Sequence, residues 1–325
     1  MNSKLTAITT ASSIPTRSDR EWRSLRQEVR GEIMKTDVAC EILFPAGQEA
    51  LAEAALREVF DLFRGFESRY SRFIEGNELW EFNRGSRRVL SSEFFRLLSE
   101  AKRYHEETNG LFDPSILPVL EHEGYVGVAS GVTPKQQRGF AELSLDKETL
   151  TATKPRELVV DLGGIGKGFI VDQVVDFLSQ HFDNFLIDAG GDIFAKGANR
   201  KEGYPYWAIE VEHPDRVSQP PALLMLTDMA VATSGINRRC WEKDGEQKHH
   251  IIDPAIGQSA APDFLSVTVV APDTTAADVW AKSLYIAGKV GAEALAQSLH
   301  IPAIFVGTDH NSYPNPYVKP YLWKA

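Results

Sequence analysis

The stretch "DLGGIGKGFIVD", Asp161 to Asp172, constrains this chain most. Glycines at 163, 164, 166 and 168 separate the apolar run "LVVDL" from the amphipathic segment "GFIVDQVVDFLSQHF". Glycine reaches positive φ and admits close approach of a backbone or a ligand. A helix start adds free N–H groups at the positive end of the dipole. The chain must turn sharply here from an extended run into a helix. Such a turn suits a phosphate or pyrophosphate, and it is equally what a tight strand-to-helix connection needs. The spacing fits neither GxGxxG, because Phe169 stands at the third glycine position, nor GxxxxGK[ST].

Periodicity places the neighbours. "ACEILFP" reads as a strand, and Leu51, Ala54, Ala55, Val59, Leu62, Phe63 and Phe66 fall on one helical face. "SSEFFRLLSEAKRYHEETNG" reads as a second helix, with Ser91 or Ser92 as its cap and Asn109-Gly110 as its end. "LSLD", "TLTATK" and "LVVDLGG" read as short strands, and "FLIDAGG" as a buried one. From "WAIEVEHP" to "SVTVVAP" the chain is mostly strand and turn. A helical pair, "TAADVWAKSLYIAGKVGAEALAQSL", and a last strand, "PAIFVGT", follow. Strands and helices mix without a βαβ rhythm, so the expected class is α+β. A disordered start over residues 1–20 and one unit over 21–325 are expected.

With 43% hydrophobic and 25% charged residues, the chain is of ordinary globular composition. Its net charge of −10 argues against non-specific nucleic-acid binding. Two cysteines, Cys40 and Cys240, without a CxxC, suit a reducing compartment. The first 35 residues lack the apolar core of a secretion signal, no lipoprotein cysteine follows a short apolar run, and no membrane span is present. A cytoplasmic location is the expectation.

Other stretches carry weaker signals. "DAGGDIFAKG" places two glycines and an acid after a strand. "ATSGINRRCW" offers Thr233 and Ser234, with Arg238 and Arg239 behind, but no GxSxG elbow. "HHIIDPAIGQ" offers His249, His250 and Asp253; zinc is not indicated, since neither HExxH nor a Cys/His quartet occurs. In "ADVWAKSLYIAG", Asp278 and Lys282 stand four apart, on one helix face.

Taken in order, these stretches resemble the ApbE family, the FAD:protein FMN transferases. "DLGGIGKGFIVD" is similar to the family's DLGGIAKGYAVD, and "FLIDAGGDIFAKG" to its LVNLGGDIRALG segment. "VATSGINRR…HHIIDPAIGQ" is similar to ATSG…HIIDPRTG, and "AADVWAKSLYIAG" to ADALATALFVLG. "SRFIEGNELWEFNR", "TNGLFDPSILP" and an eroded "MKTDVACEI" extend the likeness upstream, from about residue 33 to 310.

The resemblance implies a two-lobed α+β unit with FAD in the cleft. It also implies a Mg²⁺-assisted cleavage of FAD that passes FMN through a phosphoester to a Thr or Ser of a partner protein, with release of AMP. Met34, Phe73, Leu111, Phe112, Asp113, Gly163, Phe169 and Ile251 fall where the family contacts FAD, and Asp161 and Lys167 flank the pyrophosphate loop. His250 falls at the family's candidate base. The implied metal set is the Gly166 carbonyl, Asp278 and a hydroxyl residue four places on, where this chain has Lys282.

A cation cannot replace an oxygen ligand. Ser283 cannot stand in, because one further residue turns it roughly 100° around the helix. Either the Lys282 ammonium takes the place of the metal beside Asp278, or Lys282 swings outward and water completes a weakened site. FMN transfer to a protein is the expected function. A non-catalytic FAD carrier and an FAD pyrophosphatase are the alternatives.

Overall fold

The apolar runs become one antiparallel sheet of eight strands. In spatial order they are Trp22–Ile33, Thr36–Pro45, Asn184–Ala189, Asp192–Lys196, Met229–Gly235, Phe264–Ala271, Ala303–Gly307 and Ser312–Pro314. The computed structural model describes residues 21–215, 219–236, 240–260 and 263–323. The disorder expected for residues 1–20, and Arg238 and Arg239, lie outside them.

Both faces of the sheet are covered, which is why its strands read as near-continuous apolar runs. Ile42, Phe185, Ile187, Ala232, Val269 and Phe305 point to one core, and the alternate residues Leu43, Leu186, Val231, Val270 and Ile304 to the other. The second core is closed by the hairpin of Trp207–Val211 and Ala222–Leu226, through Trp207, Ile209, Val211 and Leu224.

Seven helices are described: α1 (Glu49–Tyr70), α2 (Glu78–Arg84), α3 (Ser92–Glu107), α4 (Leu117–His122), α5 (Gly166–Leu178), α6 (Thr274–Ile286) and α7 (Gly288–Ser298). Helices α1, α5 and α6 lie against the large sheet. Helices α2 and α3 accompany a small sheet of Arg87–Val89, Thr151–Thr153 and Ser144–Asp146. Helix α3 has the expected ends: the Ser91 hydroxyl accepts from the Phe94 N–H at 3.2 Å, and Asn109 and Gly110 take positive φ.

Two expectations need correction. "LVVDL" is buried and extended but joins no sheet: the Asn83 side-chain amide pairs both ways with the Val160 backbone, at 2.8 and 3.0 Å, where a neighbouring strand would have done so. Trp22–Ile33 was not foreseen as a strand. As an edge strand it keeps charged residues on both faces, so its alternation is faint.

The glycine turn holds α5 and α6 together. A Cβ on Gly168 would stand 2.6 Å from the Thr274 carbonyl oxygen and 2.7 Å from Thr275 Cα, so glycine alone permits this approach. Asp172, one turn further on, accepts from the Thr274 and Thr275 N–H groups at 2.7 and 2.9 Å and so caps α6. Burial pushes its carboxyl up to about 6, against these hydrogen bonds. Gly168→Ala is therefore expected to cost about 1–3 kcal/mol, seen as a lower denaturant midpoint at unchanged slope. An unchanged midpoint would show that the helices separate freely.

Candidate functional site

Two hollows of about 540 and 610 Å³ meet at Asp161 and Gly163. Leu111, Phe112, Asp113, Gly164, His250 and Lys282 line the first; Met34, Lys35, Arg72, Phe73, Gly166 and Lys167 line the second. Residues as distant in the chain as Met34 and Lys282 thus converge.

The wall between the hollows is built by hydrogen bonding. Asp161 accepts from the Gly163 N–H at 2.7 Å and faces the buried Arg72 guanidinium at 3.3 Å. Arg72 also donates to the Tyr125 carbonyl at 2.6 Å and lies over the Phe73 and Tyr125 rings. Asp113 accepts from the Ser115 N–H and hydroxyl at 2.7 and 2.6 Å, which fixes the 111–113 corner. Met34 and Lys35 form a two-residue hairpin turn, both at φ 53°, a conformation unusual for residues other than glycine. The Lys35 ammonium sits 3.7 Å from the Phe73 ring centre, so this ring face carries a cation.

Behind the wall lies a buried charge cluster. Lys282 turns inward: its ammonium is 3.4 Å from Asp278 Oδ1 and overhangs Gly164, where a Cβ would stand 2.9 Å from it. On the other side Lys167 contacts Asp192 and lies 3.8 Å from Asp278 Oδ2. Burial works against charge on Asp278, but Lys167 and Lys282 more than offset it and hold its carboxyl below the usual range. For Asp192, burial and the nearby Asp278 prevail over Lys167 and push the carboxyl up. Ser283 faces away, donating to the Val279 carbonyl at 2.8 Å.

This donor set does not fit Mg²⁺. Both Asp278 oxygens face ammonium groups, and residue 282 supplies a charge where an oxygen is needed. Two unit charges 4 Å apart repel by about 4 kcal/mol at an effective dielectric near 20, and a dication would meet two such neighbours.

The two histidines divide. His249 is buried, with Nε2 on the Ala260 carbonyl at 3.0 Å; desolvation lowers its pKa. His250, in the bend just after the strand Glu246–His249, lines the first hollow. Ser234 is a buried strand residue, and Thr233 pairs with Thr268 across the sheet at 2.9 Å.

Three positions stand apart from the hollows. Phe169 is buried on α5 against Phe66, with ring centres 6.2 Å apart; Ile251 is core, and its neighbour Ile252 lines the first hollow. Asp278 lies behind its two lysines. Sequence reasoning overlooked Arg72 and Lys35, and noted Asp192 only as the acid that follows two glycines. Only Asp192 had a usable signal: Gly190-Gly191, both at positive φ, make the tight hairpin that places the next residue at a strand start.

Chemically, the turn offers cations on both sides to a bridging dianion, and the hollows offer space for a ring system at each end. The protein is thus an antiparallel α+β protein with a divided, lysine-backed cleft. A model of the ApbE family matches residues 34–305, and the chain belongs to that family. An FAD:protein FMN transferase of Vibrio cholerae is 32% identical over 285 residues, 82% of this chain and 84% of that protein. One from Haemophilus influenzae is 29% identical over 303 residues, 87% of each. The solved flavin transferase ApbE from Vibrio cholerae matches 92% of this chain and all of its own, with a TM-score of 0.78 at 28% identity. The apo flavinyl transferase ApbE of Pseudomonas stutzeri matches with a TM-score of 0.80 at 23% identity, a likeness of fold.

Proposed function

We propose that this chain is an FAD:protein FMN transferase that attaches FMN to a Thr or Ser of an acceptor protein. The acceptor oxygen bonds to the FMN phosphorus, the phosphoanhydride bond breaks, and AMP leaves. The observation that carries this reading is the meeting of the glycine turn, the inward Lys282 and His250 in one hollow. Lys167 and Lys282 balance the charge of the pyrophosphate, and His250 takes the proton of the attacking hydroxyl. No step runs through a metal ion. FAD spans the two hollows, with Met34, Phe73, Gly163 and Gly166 on one side and the 111–113 corner on the other. The cytoplasm is the proposed location; Cys40 and Cys240 are both free thiols, as a reducing compartment keeps them. No described helix is long and apolar enough to cross a membrane.

Lys282 also favours a second reading, in which FAD is held without being transferred. One experiment separates them: FAD with and without candidate acceptor proteins from the same genome, followed by intact mass of the acceptor and by AMP release. Acceptor gaining the mass of FMN, with AMP, is the expected result. AMP without acceptor labelling would identify a pyrophosphatase. Bound FAD with neither product would identify a carrier.

A further inference from the structure

We propose that His213, Asp215 and His310 bind a divalent transition-metal ion of the Zn²⁺ kind. None of the three lines either hollow. His213 follows the strand Trp207–Val211, and His310, at φ 63°, lies in the turn between Ala303–Gly307 and Ser312–Pro314. Their donor atoms and the Asp215 carboxylate all fall within 4.8 Å of one another. His213 Nδ1 is 2.7 Å from Asp215 Oδ1, and His310 Nδ1 is 3.1 Å from Oδ2.

One tautomer of His213 prepares Nδ1 for an ion. His213 Nε2 lies 3.2 Å from the His310 carbonyl oxygen, which can only accept, so an Nε2–H tautomer satisfies this contact and leaves the Nδ1 lone pair for an ion. The Asp215 amide N–H points at Nδ1 from 3.4 Å, as it would toward a lone pair. On that tautomer the 2.7 Å between Nδ1 and Oδ1 brings two lone-pair donors together, an arrangement that a metal ion joins. An imidazole whose other nitrogen donates to a backbone carbonyl is the usual arrangement of a metal-bound histidine. Imidazole and carboxylate donors suit Zn²⁺ and its neighbours, at about 2.0–2.2 Å per bond, and three protein ligands leave a fourth place for water. Closing on the ion requires only a small movement of His310, whose side chain is 55% exposed. Its chain neighbours carry no HExxH or CxxC pattern, because the two histidines are 97 residues apart. The ion would tie the outer hairpin to the edge of the large sheet, away from the cleft.

The test uses the full chain, without a polyhistidine tag, stripped with chelator and titrated with Co²⁺ in excess Mg²⁺. One equivalent of Co²⁺ with the visible absorption of a low-coordinate site, displaced by Zn²⁺, is expected. His310→Ala and Asp215→Asn should each weaken binding about tenfold or more, with FAD binding unchanged. His310→Ala changes an exposed side chain, so folding is preserved if the Asp215 variant fails. No saturable Co²⁺ site, or unchanged affinity in His310→Ala, would overturn the assignment.

Discussion

His250→Ala is expected to lower FMN transfer by about 10²–10⁴-fold, the usual contribution of a positioned base, while FAD remains bound. The expectation rests on how the two histidines divide. His249 is buried on the Ala260 carbonyl and cannot reach a substrate, whereas His250 lines the hollow that also contains Lys282 and the glycine turn. An acceptor hydroxyl attacking phosphorus must lose its proton as the new bond forms, and water is a poor base for that proton. The check pairs initial transfer rates at saturating FAD with FAD affinity from quenching of flavin fluorescence. A rate loss with unchanged affinity supports the base. Unchanged transfer would return His250 to a structural role and make Asp161 or Asp253 the next candidate.

The second large effect concerns Lys282. FAD binding by the unmodified protein should survive EDTA and change little on adding Mg²⁺, because two ammonium groups already face Asp278. Lys282→Thr should then make FAD binding depend on Mg²⁺. Removing one cation leaves Asp278 and the pyrophosphate short of positive charge, and a hydroxyl restores the oxygen that a hard dication requires. Affinity measured with and without EDTA reads this directly, independent of any acceptor. Asp278→Asn should be damaging under either condition, since removing one partner of a buried ion pair leaves uncompensated charge at a cost of about 3–5 kcal/mol. Strong Mg²⁺ dependence of the unmodified protein would overturn the substitution of metal by amine.

Local information was enough for much of the scaffold. The apolar period of α1, the serine cap and Asn-Gly end of α3, and the buried runs "FLIDA" and "AIFVG" are properties of consecutive residues, so they are legible before folding. The ordered motifs likewise determined the family, and with it the expectation of a cleft around the glycine turn. Tertiary structure alone decided the tasks of individual residues. Gly168 serves helix contact, Gly164 makes room for an ammonium, and Gly163 donates to Asp161, though all three belong to one short motif. The strand reading of "LVVDL" failed because its backbone partner is the side chain of Asn83, 77 residues away. The direction of Lys282 depends on Asp278, Lys167 and Asp192, which three separate elements bring together. Periodicity records which face of an element is buried, but charge balance depends on distances between elements, and those exist only once the chain has packed.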